Sequence, residues 1–330
     1  MAPRTYDEDD VRIRPPRSTR PRTKDRPDYS GADQALVIAV DRGRTTCVRI
    51  DENGAPLDTP QLEITAMKAR ELGKKSVVVG DMVGIVGDTT GDDGSLARIV
   101  SVQPRRNALT RTVDDGANFE RMIVANVDQM AIVMAAANPE PRHGFVDRAL
   151  VVAYDQRIRP IIILTKRDLA DAKEFLQSYA DLEIQVIETQ RGADLAPIRE
   201  ALAGKTTVLL GHSGVGKSTL VNALVESAAR ATGSVNEATG RGRHTSSSAL
   251  ALRLNAGDGW IIDTPGVRSF GVAHVDSSRV VSAFGEFAEA LEHCPKKCSH
   301  NEEACALNNW PNFTDDNKSR LESLRRLLKA

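Results

Sequence analysis

A glycine-rich stretch ending in lysine and a hydroxyl, Gly211-His212-Ser213-Gly214-Val215-Gly216-Lys217-Ser218, meets the pattern G-x-x-x-x-G-K-[ST]. Glycines let a backbone wrap closely around phosphate oxygens. The loop amides and the N-terminus of a following helix then supply donors and a positive dipole end. In this pattern Lys217 reaches the β- and γ-phosphates and Ser218 ligates Mg²⁺; Gly211 through Thr219 form the phosphate-binding set. An apolar strand over 206–210 precedes the loop and a helix over 217–225 follows, which is the context the pattern requires.

Two further motifs sit at strand ends. Asp263-Thr264-Pro265-Gly266 follows Trp260-Ile261-Ile262. A carboxylate there suits a place behind Mg²⁺, and the Gly266 amide can serve the γ-phosphate. Thr165-Lys166-Arg167-Asp168 ends a strand over 160–164. The Asp168 carboxylate can accept from N1 and N2 of guanine, a donor pair that adenine lacks, and the stem of Lys166 can lie against the base. Taken alone this motif also reads as an ordinary polar loop. Beside the other two it selects GTP over ATP. Thr239-Gly240-Arg241-Gly242-Arg243-His244-Thr245 lies between the phosphate loop and Asp263. A threonine in such a segment can join the Mg²⁺ shell when GTP is bound, with Thr245 the candidate and Thr239 the alternative.

A third chemistry appears near the end of the chain. Cys294-x₃-Cys298-x-His300-x₄-Cys305 supplies three sulfurs and one imidazole, a complete tetrahedral Zn²⁺ set with no open position, hence a structural site. Lys296 and Lys297 between the ligands could lower thiol pKa values or meet RNA phosphate. The fourth cysteine, Cys47, reads as a small core residue.

These motifs need elements to hold them. Short strands over 35–40, 46–50, 76–79, 82–86 and 97–102, separated by turn signals, suggest a small closed β-barrel. An OB-fold fits that size, and from patterning alone an SH3-like barrel fits nearly as well. Beyond residue 120 apolar runs over 130–136, 160–164, 183–187 and 206–210 alternate with helical segments over 146–155, 172–179 and 195–202. Fully apolar strands alternating with helices mean a parallel α/β sheet covered on both faces. A last helix over 315–328 carries Leu321, Leu324, Leu327 and Leu328 on one side, a stripe suited to packing on the cysteine segment.

The chain has 330 residues, 41% of them hydrophobic, enough for two or three domains with a real core. No apolar run reaches about eighteen residues and the N-terminus has no apolar h-region, so neither a membrane helix nor a secretory signal is expected, and the expected location is the cytoplasm. Net charge is −1, but residues 11–26 carry Arg12, Arg14, Arg17, Arg20, Arg22, Lys24 and Arg26 against Asp25. Such a segment should be disordered, either as a solvated tail or as an arm for nucleic-acid phosphate. No oligomerisation stripe stands out, and a monomer is expected.

The guanine motif at 165–168 precedes the phosphate loop at 211–218, and the D-x-x-G element comes last. In Ras-like GTPases the phosphate loop comes first, so this is a circularly permuted order. With Val79-Gly80-Asp81, Pro104-Arg105-Arg106-Asn107-Ala108-Leu109-Thr110-Arg111, Gly240–Thr245, Asp263-Thr264-Pro265-Gly266-Val267-Arg268 and the cysteine cluster, the chain closely resembles the ribosome-small-subunit-dependent GTPase A family (RsgA, also called YjeQ). The resemblance spans roughly residues 34–328. It implies a basic tail over 1–33, an OB-fold barrel over 34–112, a permuted GTPase domain over 113–273 and a zinc-binding helical domain over 274–330. It also implies a weak GTPase that converts GTP to GDP with Mg²⁺. The small ribosomal subunit would stimulate it late in that subunit's maturation, with barrel and zinc domain against ribosomal RNA.

Two departures from the family pattern stand out. Its guanine motif usually begins with asparagine, where this chain has Thr165, and the loop after 183–187 usually reads Ser-Ala, where this chain has Glu188-Thr189-Gln190. Ras-like enzymes also orient the attacking water with a glutamine after D-x-x-G. Val267 holds that place here and cannot do so; His244, RNA or a K⁺ ion are the candidates.

Overall fold

The computed structural model describes residues 29–41, 43–51, 54–57, 62–73, 76–112, 120–225, 249–254, 259–264, 277–296, 298–308, 310 and 314–329. Thr239, Gly240–Thr245 including His244, Gly266 and Val267 lie outside them, as does the basic segment 11–26. From Ala32 to Ala330 the chain forms one compact unit.

The first layer is built from β1 (Asp33–Asp41), β2 (Arg44–Arg49), β3 (Ile64–Lys68), β4 (Met82–Gly87) and β5 (Ala97–Val102). They pair in the order β1-β2-β3-β5-β4, with β3 parallel to β5 and β4 returning to β1. This closed order is that of an OB barrel and decides against the SH3-like alternative. Its interior alternates along the strands: Ala35 and Val37, Ile64 and Ala66, Val83 and Ile85. Cys47 is in the same interior, where burial pushes its thiol up to about 12 and leaves it unreactive.

One expected barrel strand is wrong. Residues 76–79 form no strand; Val79 makes a single bridge to Val124. The fifth strand is β3 instead. Its Ala66-Met67-Lys68 are helix-forming types, and pairing with β2 and β5 overrides that propensity. What occupies 76–81 is a turn around a buried ion pair. Asp81 is wholly buried and accepts from the Val78 N–H at 2.8 Å and from Arg105 Nε at 2.6 Å and Nη2 at 2.8 Å. Gly80 is required beside it: φ is +88°, and a Cβ would stand 2.0 Å from the Ala125 carbonyl. Removing one partner of a buried pair strands the other's charge, which costs about 3–5 kcal/mol. Arg105→Ala is therefore expected to lower unfolding stability by about that amount in urea titration; a loss under about 1 kcal/mol would mean the pair holds little.

A ribbon of β6 (Ala108–Thr112) and β7 (Glu120–Ala125), which the sequence patterning does not announce, leads into the second layer. There β8 (Gln129–Ala135), β9 (Arg159–Thr165), β10 (Gln185–Glu188), β11 (Thr206–Leu210) and β13 (Trp260–Asp263) run parallel in the order β10-β9-β8-β11-β13. β12 (Leu250–Arg253) lies antiparallel on β13. The helices are α1 (His143–Asp155), α2 (Lys173–Gln177), α3 (Ala196–Leu202) and α4 (Lys217–Leu224). Apart from Gln129 at its start, β8 is apolar because both its faces are covered. Met130, Ile132 and Met134 join the core that includes α1, while Ala131, Val133 and Ala135 join the one that includes α3 and α4.

The barrel is not a separate bead. Ala39 of β1 pairs with Leu250 of β12, making one sheet of 11 strands. Leu36 and Ile38, on the outer face of β1, belong to the same core as Val124, Val127 and Met130. That is why β1 is buried on successive residues where a barrel strand would alternate.

The chain ends in α5 (Ser277–Ser282), α6 (Ala288–Glu292) and α7 (Asp315–Leu327). Thr314 caps α7 reciprocally with Asn317, worth about 1 kcal/mol. The leucine stripe does not pack on the cysteine segment alone. Leu321, Leu324 and Leu327 are buried, and α7 lies against α1 and the 3-10 turn Ala180–Leu182. Arg326 secures this docking: its guanidinium lies 5.0 Å over the Tyr179 ring and donates to the Ser178 carbonyl at 2.9 Å.

Candidate functional site

Parallel strands bring their C-terminal ends to one edge of a sheet, and loops there make the crevice in which α/β proteins bind ligands. Register sets which ends meet. Ala135 stands opposite Thr165, Leu210 opposite Ile132, and Leu209 opposite Asp263. The guanine motif after β9, the phosphate loop after β11 and the carboxylate ending β13 are thereby brought to a single edge.

The phosphate loop has the backbone its glycines allow. Gly214 and Gly216 have φ of +84° and +90°, and Gly216 caps α4. A Cβ on Gly211 would meet the Val133 carbonyl at 2.6 Å and Val215 Cγ2 at 2.9 Å, so no side chain fits there. Val215 is buried, while Ser213, Gly214, Ser218 and Thr219 are exposed. The His212 ring packs on Phe145 of α1, centroids 4.3 Å apart. Lys217 forms an ion pair with Asp263, both largely buried. The Thr264 hydroxyl donates to the Leu209 carbonyl at 3.1 Å, tying the turn after β13 to the strand that carries the loop. The candidate cation for phosphate and the candidate carboxylate for Mg²⁺ thus stand together. Gly266, Thr245 and His244 fall outside the described residues, so their proposed roles rest on sequence.

The guanine motif is held from several sides. Thr165 is buried; its Oγ1 lies 2.5 Å from the Val215 carbonyl and 3.0 Å from that of Met134. The Lys166 ammonium donates to the Asn138 carbonyl. The Arg167 N–H donates to the Thr189 carbonyl at 3.3 Å, and its guanidinium stands 3.7 Å from Glu188. Asp168 is exposed at the end of this turn, free to meet a base. Asp168→Asn replaces one acceptor oxygen with a donor. It should weaken GTP binding by about 10–100-fold and improve binding of xanthosine triphosphate, measured by equilibrium titration. Unaltered preference for GTP would remove Asp168 from base recognition.

The cysteine cluster is built between α6 and α7. Cys294, Cys298, His300 and Cys305 place their ligand atoms within 4.8 Å of one another. Cys294 Sγ is 3.7 Å from His300 Nδ1 and 3.8 Å from Cys305 Sγ, and Cys305 Sγ is 3.9 Å from His300 Nδ1. A tetrahedron with bonds of about 2.3 Å has edges of about 3.8 Å, so this donor set fits Zn²⁺. His300 reaches the cluster through a positive φ of 64°, and Arg325 of α7 donates to its carbonyl at 2.9 Å. Glu302 is a neighbour that the motif reading passed over. Its carboxylate accepts from the Ser299 N–H and lies 3.1 Å from Cys298 Sγ, and those hydrogen bonds, the Ser299 N–H first, pull its pKa down to about 2. Its position between two ligands in the sequence is the only signal that could have flagged it.

Comparison with known proteins agrees with this geometry. The RsgA GTPase family matches residues 102–273. The small ribosomal subunit biogenesis GTPase RsgA of Hahella chejuensis is 37% identical over 267 residues, 77% of this chain and 74% of that one. The protein of the same name from Saccharophagus degradans is 32% identical over 315 residues, 91% and 88% of the two chains. The crystal structure of YjeQ from Thermotoga maritima superposes with a TM-score of 0.61 at 24% identity, covering 90% of this chain and 99% of that one. YloQ, described as a circularly permuted GTPase, superposes with a TM-score of 0.60 at 22% identity, covering 91% and 96%. These two share the overall fold over about nine-tenths of this chain. With its guanine motif ahead of its phosphate loop and both at one sheet edge, the chain belongs to the RsgA GTPase family.

Proposed function

We propose that this GTP hydrolase binds the small ribosomal subunit, is stimulated by it, and acts late in its maturation. The observation that carries the reading is the convergence of Thr165–Asp168, the phosphate loop and the Lys217–Asp263 pair at one edge of the sheet. The names of the relatives, small ribosomal subunit biogenesis GTPases, supply the partner. An OB barrel is a fold that takes oligonucleotides on its face, which suits ribosomal RNA. In this reading residues 34–112 meet RNA, 113–273 hydrolyse GTP, and 274–330 form a zinc-bearing domain that also meets the subunit. GTP is held by 165–168 and 211–219, Mg²⁺ by Ser218 and Thr245 with Asp263 behind it, and a structural Zn²⁺ by Cys294, Cys298, His300 and Cys305. His244 takes the water-orienting place that Val267 cannot fill. The protein acts as a cytoplasmic monomer; no helix among the described residues is long and apolar enough to cross a membrane.

Two other readings are separable. One is an RNA-binding assembly factor whose nucleotide only reports its state; the other is an ATP-driven enzyme. GTP turnover with and without purified small subunits, and with ATP as control, distinguishes them. GTP-only hydrolysis accelerated by the subunit is expected. Hydrolysis that the subunit leaves unchanged would remove the partner and keep the GTPase.

A further inference from the structure

Position 165 departs from the usual asparagine of the family's guanine motif, and its geometry gives the departure a consequence. The Thr165 hydroxyl lies between two carbonyl oxygens, Val215 at 2.5 Å and Met134 at 3.0 Å, and the residue is 7% exposed. A hydroxyl carries one hydrogen, whereas a carboxamide carries two. Either carbonyl engages the single hydroxyl hydrogen of the Thr165 side chain. Guanine N7 is an acceptor and is read only by a donor. The cations beside it are engaged as well: Lys166 on the Asn138 carbonyl and Arg167 beside Glu188.

We propose that Thr165 is a positioning residue that holds the phosphate loop through the Val215 carbonyl and gives no hydrogen to the base. This chain then reads the guanine ring through Asp168 and leaves N7 unread. The inference rests on the guanine-nucleotide reading above. The Val215 carbonyl and the Gly216 N–H share one planar peptide, so anchoring the carbonyl fixes where that amide points at the start of α4. A Cβ added at Gly216 would stand 3.5 Å from the Thr165 hydroxyl oxygen, so Thr165 lies on the side of the loop where that side chain would project. An asparagine could serve the carbonyl with one amide hydrogen and keep a second for the base. Threonine separates the two roles and retains only the first.

The test is equilibrium binding of GDP, 7-deaza-GDP and ADP to the full-length protein. GDP and 7-deaza-GDP should bind within about twofold of each other, with ADP far weaker. Thr165→Ser keeps the hydroxyl and should keep both affinities. Thr165→Val keeps the shape, leaves the Val215 carbonyl unpaired, and should weaken GDP and 7-deaza-GDP alike by about tenfold or more, their ratio unchanged. A loss of more than about fivefold for 7-deaza-GDP with the wild-type chain would overturn the claim about N7. Wild-type affinity in the valine variant would overturn the positioning role. Equal binding of GDP and ADP would overturn the guanine reading itself, a different failure. Should the valine variant not fold, the wild-type ratio of GDP to 7-deaza-GDP still decides.

Discussion

Lys217→Ala is expected to lower GTP turnover by about 10²–10³-fold while leaving the chain folded. Phosphoryl transfer spreads negative charge over the oxygens of the transferred group, and catalysis consists largely of positioned positive charge that meets it. Lys217 is 14% exposed, and its ammonium is held against Asp263 at the end of β13, so it is preorganised and partly shielded from water. Alanine removes that cation and leaves Asp263 facing the phosphates, opposing the charge that must be stabilised. The substitution should not harm the helix, because Lys217 is the first residue of α4 and alanine is the best helix former. Single-turnover hydrolysis beside a thermal melt measures both effects. Unchanged turnover in a folded variant would take Lys217 out of the phosphate site. A variant that melts far below the wild type would show the Lys217–Asp263 pair to be structural.

Removing zinc is expected to unfold the segment between α6 and α7. Structural zinc sites of this donor type bind with apparent free energies of about 10–16 kcal/mol, comparable with or larger than the whole stability of a domain. The 294–305 loop has no regular helix or strand among its described residues; its turns are tied by Ser299 to Glu302 and by Asn308 to the Glu302 and Glu303 carbonyls, and His300 sits at a positive φ. The effect should reach α7, because Arg325 bonds the His300 carbonyl and the Asn308 side chain. α7 itself should be partly retained by Leu321, Leu324 and Leu327 on the α/β domain. A strong chelator, or Cys294→Ser, should therefore reduce helicity moderately and subunit binding strongly, and spare GDP binding. Stoichiometric zinc is expected in protein purified without chelators. Its absence from metal analysis would refute the site, and loss of GDP binding on chelation would show that the two sites are coupled.

The legible parts of this protein are those whose chemistry comes from one short stretch. The candidate phosphate loop lies within 211–219, the candidate guanine motif within 165–168 and the candidate metal-ligand set within 294–305, because such motifs are made of neighbouring residues whose spacing is itself the geometry. The buried strands were legible for a similar reason: with both faces covered, β8 is apolar from Met130 to Ala135, and only Gln129 at its start is polar. β3 was not legible, since its residue types favour a helix and only its partners make it a strand.

The sequence by itself determined the motifs and their permuted order, and through them the family and its nucleotide, and it named the four residues that could hold a metal. The tertiary structure alone decided what lies next to what. It chose the OB closure, placed Asp81 on Arg105 and set Thr165 on Val215. It also fused the barrel to the α/β sheet through β1 and β12, and turned α7 onto α1. The reason is physical. These pairings join residues far apart in the chain, and they follow from strand register and burial, which no local spacing encodes.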